Sequence, residues 1–71
     1  MAPEKMVMMA NQIAGFFHTQ PGDDQAAKVA DHLNDFWAPK MRGQLIDHVE
    51  AGGAGLDPLV IEAIGMVRQP A

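Results

Sequence analysis

Cysteine, serine and tyrosine are missing from this 71-residue chain, and threonine occurs once. Without cysteine the chain forms no disulfide and offers no thiolate to zinc or to an iron–sulfur cluster. Small secreted domains usually depend on such staples, so the expected setting is a reducing, cytoplasmic one. Nucleophilic catalysis by a hydroxyl or thiol has no credible carrier either, because Thr19 sits beside a Gln20-Pro21-Gly22 turn. Positive charge is scarce: five Lys and Arg stand against nine Asp and Glu, a formal net charge of −4. Lys5, Lys28, Lys40, Arg42 and Arg68 are scattered rather than clustered, which argues against nucleic acid as a partner. No apolar run approaches the roughly 20 residues that span a bilayer, so no membrane association is expected. The Met1-Ala2-Pro3-Glu4-Lys5 start lacks a basic region followed by an apolar stretch, so no signal peptide is expected.

What is present is apolar: 48% of residues are hydrophobic, ample for a packed fold. At this length the expectation is one domain over residues 1–71. Its core is thin, since a chain of this size buries only about 60% of its unfolded surface.

Prolines and helical periodicity predict an all-α architecture of about four short helices. Pro3 suits a first helical turn, where its missing N–H costs nothing. Met6, Met9, Ala10, Ile13, Phe16 and Phe17 then share one arc of a helix over about 3–18, with Glu4, Asn11 and His18 opposite. Pro21 ends it by pushing Gln20 out of the helical region. A second helix is expected over about 23–37, capped by Gly22 or Asp23, with Ala26, Val29, Ala30, Leu33, Phe36 and Trp37 inward. Pro39 closes that helix and opens a third, over 39–51, lined by Met41, Leu45 and Val49 with Ile46 and His48 at the borders. The Ala51-Gly52-Gly53-Ala54-Gly55 cluster supplies left-handed residues at its end. Asp57-Pro58, an N-cap followed by proline at the first helical position, starts a fourth helix over about 57–68, leaving 69–71 as a tail.

Two features of these wheels bear on function. Leu59, Val60, Ala63, Ile64, Met66 and Val67 cover more than half of the fourth helix, while Met8 and Ile61 fall outside their helices' core arcs. Scattered exposed apolar residues are normal; gathered into a patch, they mark an interaction surface. Arg42 projects between Ile46 and Val49, inside an apolar stripe. Either its methylenes lie along the core with the guanidinium in water, or it meets a carboxylate or carbonyl of this chain or another.

Other chemistry is weakly represented. His18, His32 and His48 have no companions at metal-ligand spacing, and the His-Glu-x-x-His pattern is absent. Asp31-His32 and Asp47-His48 are adjacent in sequence, so on a helix they point about 100° apart. Asp31, Asp35, Asp47, Glu50 and Glu62 have the positions of solvated helix faces. The glycine cluster follows a helix rather than a strand and lacks a P-loop Lys-Ser/Thr, so it is no phosphate cradle. Gly55-Leu56-Asp57 is similar to the attachment motif of acyl-carrier modules, but Pro58 stands where the modified serine would be. The second helix is acidic, unlike the recognition helix of a helix-turn-helix DNA reader.

Three blocks resemble a known family. They are Met9-Ala10-Asn11-Gln12-Ile13-Ala14 with Phe16-Phe17; Asp31-His32 with Phe36-Trp37-x-Pro39-x-Met41-Arg42-x-Gln44-Leu45; and Gly55-Leu56-Asp57-Pro58-Leu59-Val60 with Glu62-Ala63. Together they resemble the delta subunit of NAD-dependent, molybdenum-containing formate dehydrogenase over about Pro3 to Arg68. The resemblance implies an accessory subunit without a catalytic site or cofactor. Bis-pterin molybdenum (or tungsten), iron–sulfur clusters, FMN and NAD are then expected on partner subunits. It also implies docking on the large catalytic subunit in support of assembly, cofactor insertion or stability. Met8, Asn11, His32, Trp37, Arg42 and Ile61 are the candidate partner-interface residues, with Trp37 equally suited to the core. A transient maturation chaperone and a homodimer formed through the fourth helix are the alternatives.

Overall fold

The computed structural model describes residues 2–67, and among them the chain is all-α. Four helices follow one another: α1 (Pro3–His18), α2 (Gln25–Phe36), α3 (Pro39–Glu50) and α4 (Pro58–Ala63), with a 3₁₀ turn at Ile64–Met66. Three helices open with proline at the first position behind an extended residue, Ala2, Ala38 or Asp57. That backbone state is what a following proline imposes.

The ends of α2 and α4 differ from the sequence expectation. α2 begins at Gln25 rather than 23, because Gly22 adopts φ +107° and Asp24 remains outside the helical region as the N-cap. Neither Gly22 nor Asp23 caps it. The Asp24 carboxylate instead lies 3.6 Å from Lys28 Nζ, one turn into the helix. The sequence predicts a fourth helix to about 68, yet its α-helical part stops at Ala63 and tightens into the 3₁₀ turn. Gly65 weakens the helix at this point by about 1 kcal/mol relative to alanine. Asn34 Nδ2 also donates to the Met66 carbonyl at 3.2 Å, drawing that group out of line. Arg68 and the tail 69–71 lie outside the described residues.

α3 ends in a Schellman motif. Gly53 N–H donates to His48 O at 2.9 Å and Gly52 N–H to Val49 O at 3.0 Å. Gly52, at φ +123°, fills the left-handed position that a side chain would disfavour.

α2 packs most extensively against α4 and then against α1, and α1 also touches α3 and α4. The core between them is apolar: Leu33, Leu45, Val29 and Val60 are its largest fully buried side chains, joined by Met6, Trp37 and Leu59. No polar or charged side chain is buried among the described residues. Phe16, Phe36 and Met66, each assigned to a core arc from periodicity, are exposed instead. The aromatic pairs explain the first two. Adjacent helical residues diverge by about 100°, so when Phe17 packs inward Phe16 turns out. Trp37 enters the core at the end of α2 and leaves Phe36 outside.

Candidate docking surface

The predicted interface residues separate into three structural settings. Met8 and Ile61 are exposed, at 52% and 42%. Ile61 lies over the α3–α4 turn, where a Cβ on Gly53 would come within 3.2 Å of its Cδ1. His32 is half-buried between two phenyl rings. Asn11, Arg42 and Trp37 are engaged within the chain.

Trp37 is in the core, at 7% exposure, so its ring offers nothing to a partner in this conformation. Arg42 resolves in favour of a carbonyl partner from its own chain. Its Nη1 donates to Trp37 O at 2.7 Å, bridging the corner between α2 and α3. Periodicity puts Asn11 opposite the apolar arc of α1, but that flank is covered by the loop entering α4. Its Nδ2 donates to Gly55 O at 2.9 Å and its Oδ1 accepts the Asp57 N–H at 2.8 Å.

Asp57 gathers further contacts at the same point. Its Oδ1 accepts the Leu59 amide at 2.9 Å, which is the N-cap bond expected from sequence. His18 Nε2 lies 3.0 and 3.1 Å from the two carboxylate oxygens. The hydrogen bond from His18, then that from the Leu59 amide, hold the Asp57 carboxyl below its ordinary pKa of 3.8, with partial burial acting weakly in the opposite sense. His48 Nε2–H donates to Ala54 O at 2.9 Å, a second side-chain tie on the same loop. An open groove of about 430 Å³ lies beside it, lined by Pro3, Glu4, Val7, His48, Ala54 and Gly55. His18 and His48 are therefore tethers of the α3–α4 connection. Among the described residues no three His, Asp or Glu side chains come together as a metal-binding group, and no helix is long and apolar enough to cross a membrane.

The conspicuous surface feature is a row of aromatic rings crossing from the end of α1 onto α2. Phe16 and Phe17 meet edge to face at 5.1 Å between centroids. Phe17 meets His32 at 6.3 Å, and His32 meets Phe36 at 4.8 Å. Phe17 packs against the core, whereas Phe16 and Phe36 are 60% and 75% exposed. Full burial of one such side chain yields about 1.5–3 kcal/mol. Among the interface candidates read from sequence only His32 belongs to this row. The signal for the others was the doubled aromatics Phe16-Phe17 and Phe36-Trp37, since one member of each pair must face away from a single core.

Fold and surface together define a small all-α chain whose most distinctive exposed feature is apolar and aromatic. Within that class its membership is specific. The family model described as "NADH-dependant formate dehydrogenase delta subunit FdsD" matches residues 5–64, and the chain belongs to this family. No curated protein is similar enough to the chain to count as a match.

Proposed function

We propose that this chain is a non-catalytic accessory subunit of a cytoplasmic NADH-dependent formate dehydrogenase, and that it docks on the large molybdenum-containing subunit. In that role it supports assembly, cofactor insertion or stability of the complex. The bis-pterin molybdenum centre, iron–sulfur clusters, FMN and NAD belong to partner subunits in this reading. Family membership supports the subunit assignment. The observation that carries the docking role is the exposure of Phe16 and Phe36, 60% and 75%, at the two ends of one connected row of rings on so small a fold. Contiguous apolar surface on a small protein marks an interaction site. Binding to the folded form also stabilises it by mass action.

The test is to produce the other formate dehydrogenase subunits with and without this chain. Stoichiometric co-purification is expected, with lower molybdenum content or a shorter thermal half-life in its absence. An enzyme that is fully loaded, equally stable and free of this chain in both preparations removes the proposal. A chain needed for loading but missing from the finished enzyme makes it a transient chaperone instead.

A further inference from the structure

We propose that the aromatic row Phe16–Phe17–His32–Phe36, flanked by Asp31 and Asp35, is the docking face, and that its occupant is an apolar pocket of the large subunit rimmed by lysine or arginine. This rests on the subunit reading above and adds the face and the chemistry of the partner. The row is built to hold its shape. Phe17 is rooted in the core, and each following ring leans on the one before it, at 6.3 and 4.8 Å. Phe36 thus stands 75% exposed yet is supported from below by His32. A side chain already held in place surrenders little rotamer freedom when a partner covers it.

The charges beside the row indicate what covers it. Asp31 and Asp35 are exposed on α2, on turns adjacent to His32 and Phe36. Neither takes part in an ion pair among the described residues. Lys28, one turn before His32, is turned to Asp24 at 3.6 Å. The last turn of α2 carries no basic residue, although the negative end of a helix dipole favours cations over carboxylates. Arg42 serves the Trp37 carbonyl from the α3 side. Asp35, in the last turn of α2, therefore stands at the negative end of the helix dipole, and Asp31 one turn back adds a second exposed carboxylate; a lysine or arginine from outside would complement both. A second copy of the chain is the wrong occupant. Two-fold pairing over this row would bring Asp31 and Asp35 of one copy toward those of the other, and like charges brought together oppose such a contact.

The experiment measures binding of the full chain to the purified large subunit at low and high salt, for wild type, Phe36→Ala, Asp31→Lys/Asp35→Lys and Ile61→Ala. Phe36 and both aspartates are exposed, so each variant is expected to give the wild-type circular dichroism spectrum. Phe36→Ala is expected to weaken binding about tenfold or more at both salts, the scale of a hot-spot side chain. The double charge reversal is expected to weaken it about tenfold at low salt and less at high salt, through screening. Ile61→Ala is expected to bind as wild type. Unchanged binding by Phe36→Ala and the charge reversal, with wild type binding normally, overturns this face and leaves the subunit reading standing. Absence of wild-type binding overturns both. A wild-type chain that dimerises in sedimentation, with the dimer lost in Phe36→Ala, overturns the choice of occupant.

Discussion

The Asn11 side-chain oxygen accepts the backbone N–H of Asp57 at 2.8 Å, across 46 positions of sequence. The same carboxamide donates to Gly55 O at 2.9 Å, so one side chain of α1 holds both sides of the turn into α4. Replacing Asn11 with alanine leaves the Asp57 amide without that acceptor. The expected cost is about 1–2 kcal/mol of unfolding free energy. For a domain of this size the melting temperature should fall by about 5–10 °C. Thermal unfolding followed by circular dichroism checks this, and an unchanged melting temperature contradicts the clamp.

Asp57 couples the same turn to pH. Its folded-state pKa is lowered from 3.8, chiefly by the His18 hydrogen bond and then by the Leu59 amide. A carboxyl with a depressed native pKa contributes stability that is present above its unfolded value and lost as pH falls through the native one. The contribution is therefore complete at neutral pH, begins to be lost below about pH 4, and is gone only below the lowered native value. Asp57→Ala should cost about 1 kcal/mol at pH 7 from the lost cap alone, and its deficit relative to wild type should shrink at pH 3. Urea unfolding of both proteins at the two pH values tests the sign; a deficit that grows in acid refutes it.

Gly53 has φ +67° and lies beneath Ile61, whose Cδ1 would stand 3.2 Å from an added Cβ. Gly53→Ala therefore meets two penalties, left-handed backbone and a crowded neighbour. Roughly 1–2 kcal/mol of destabilisation is expected from the backbone alone. Trimming Ile61 to alanine in the Gly53→Ala background should relieve only the crowding, giving a double mutant less destabilised than additivity predicts. A strictly additive double-mutant cycle would show that Ile61 moves aside freely.

Leu33 and Phe36 occupy the same helix three residues apart but contribute differently. Leu33 is fully buried and Phe36 is 75% exposed. Leu33→Ala should cost about 2–5 kcal/mol, a large share of the roughly 4–10 kcal/mol available to a chain of this length. Phe36→Ala should stay within about 0.5 kcal/mol of wild type. Comparable losses at the two positions, read from urea midpoints, would place Phe36 in the core.

Local chemistry made the skeleton legible in the sequence. Pro3, Pro39 and Asp57-Pro58 announce helix starts through their own backbone restrictions, and the structure begins α1, α3 and α4 at those prolines. The ends of α2 and α4 were less visible. They depend on Gly22 leaving the helical region and on Asn34 reaching the Met66 carbonyl, a contact 32 residues away. The surface was legible in part. Met8 and Ile61 are exposed as the wheel predicts, but the wheel assigns Phe16 and Phe36 to the core because it scores each residue alone. Asn11 and His18 sit opposite the apolar arc of α1, and only the folded-back α3–α4 loop gives them partners. Arg42 stood out as an anomaly in an apolar stripe; that its partner would be Trp37 O required the geometry of the α2–α3 corner.

Two of the tethers on the turn into α4 originate from residues made much earlier, with His18 and Asp57 separated by 39 positions and Asn11 and Gly55 by 44. During synthesis Asn11 and His18 thus emerge well before the loop groups they hold, which are still to be translated. Closure of this turn waits until Gly55 and Asp57 have been made, whereas Phe17 can already meet His32 once α2 has been made.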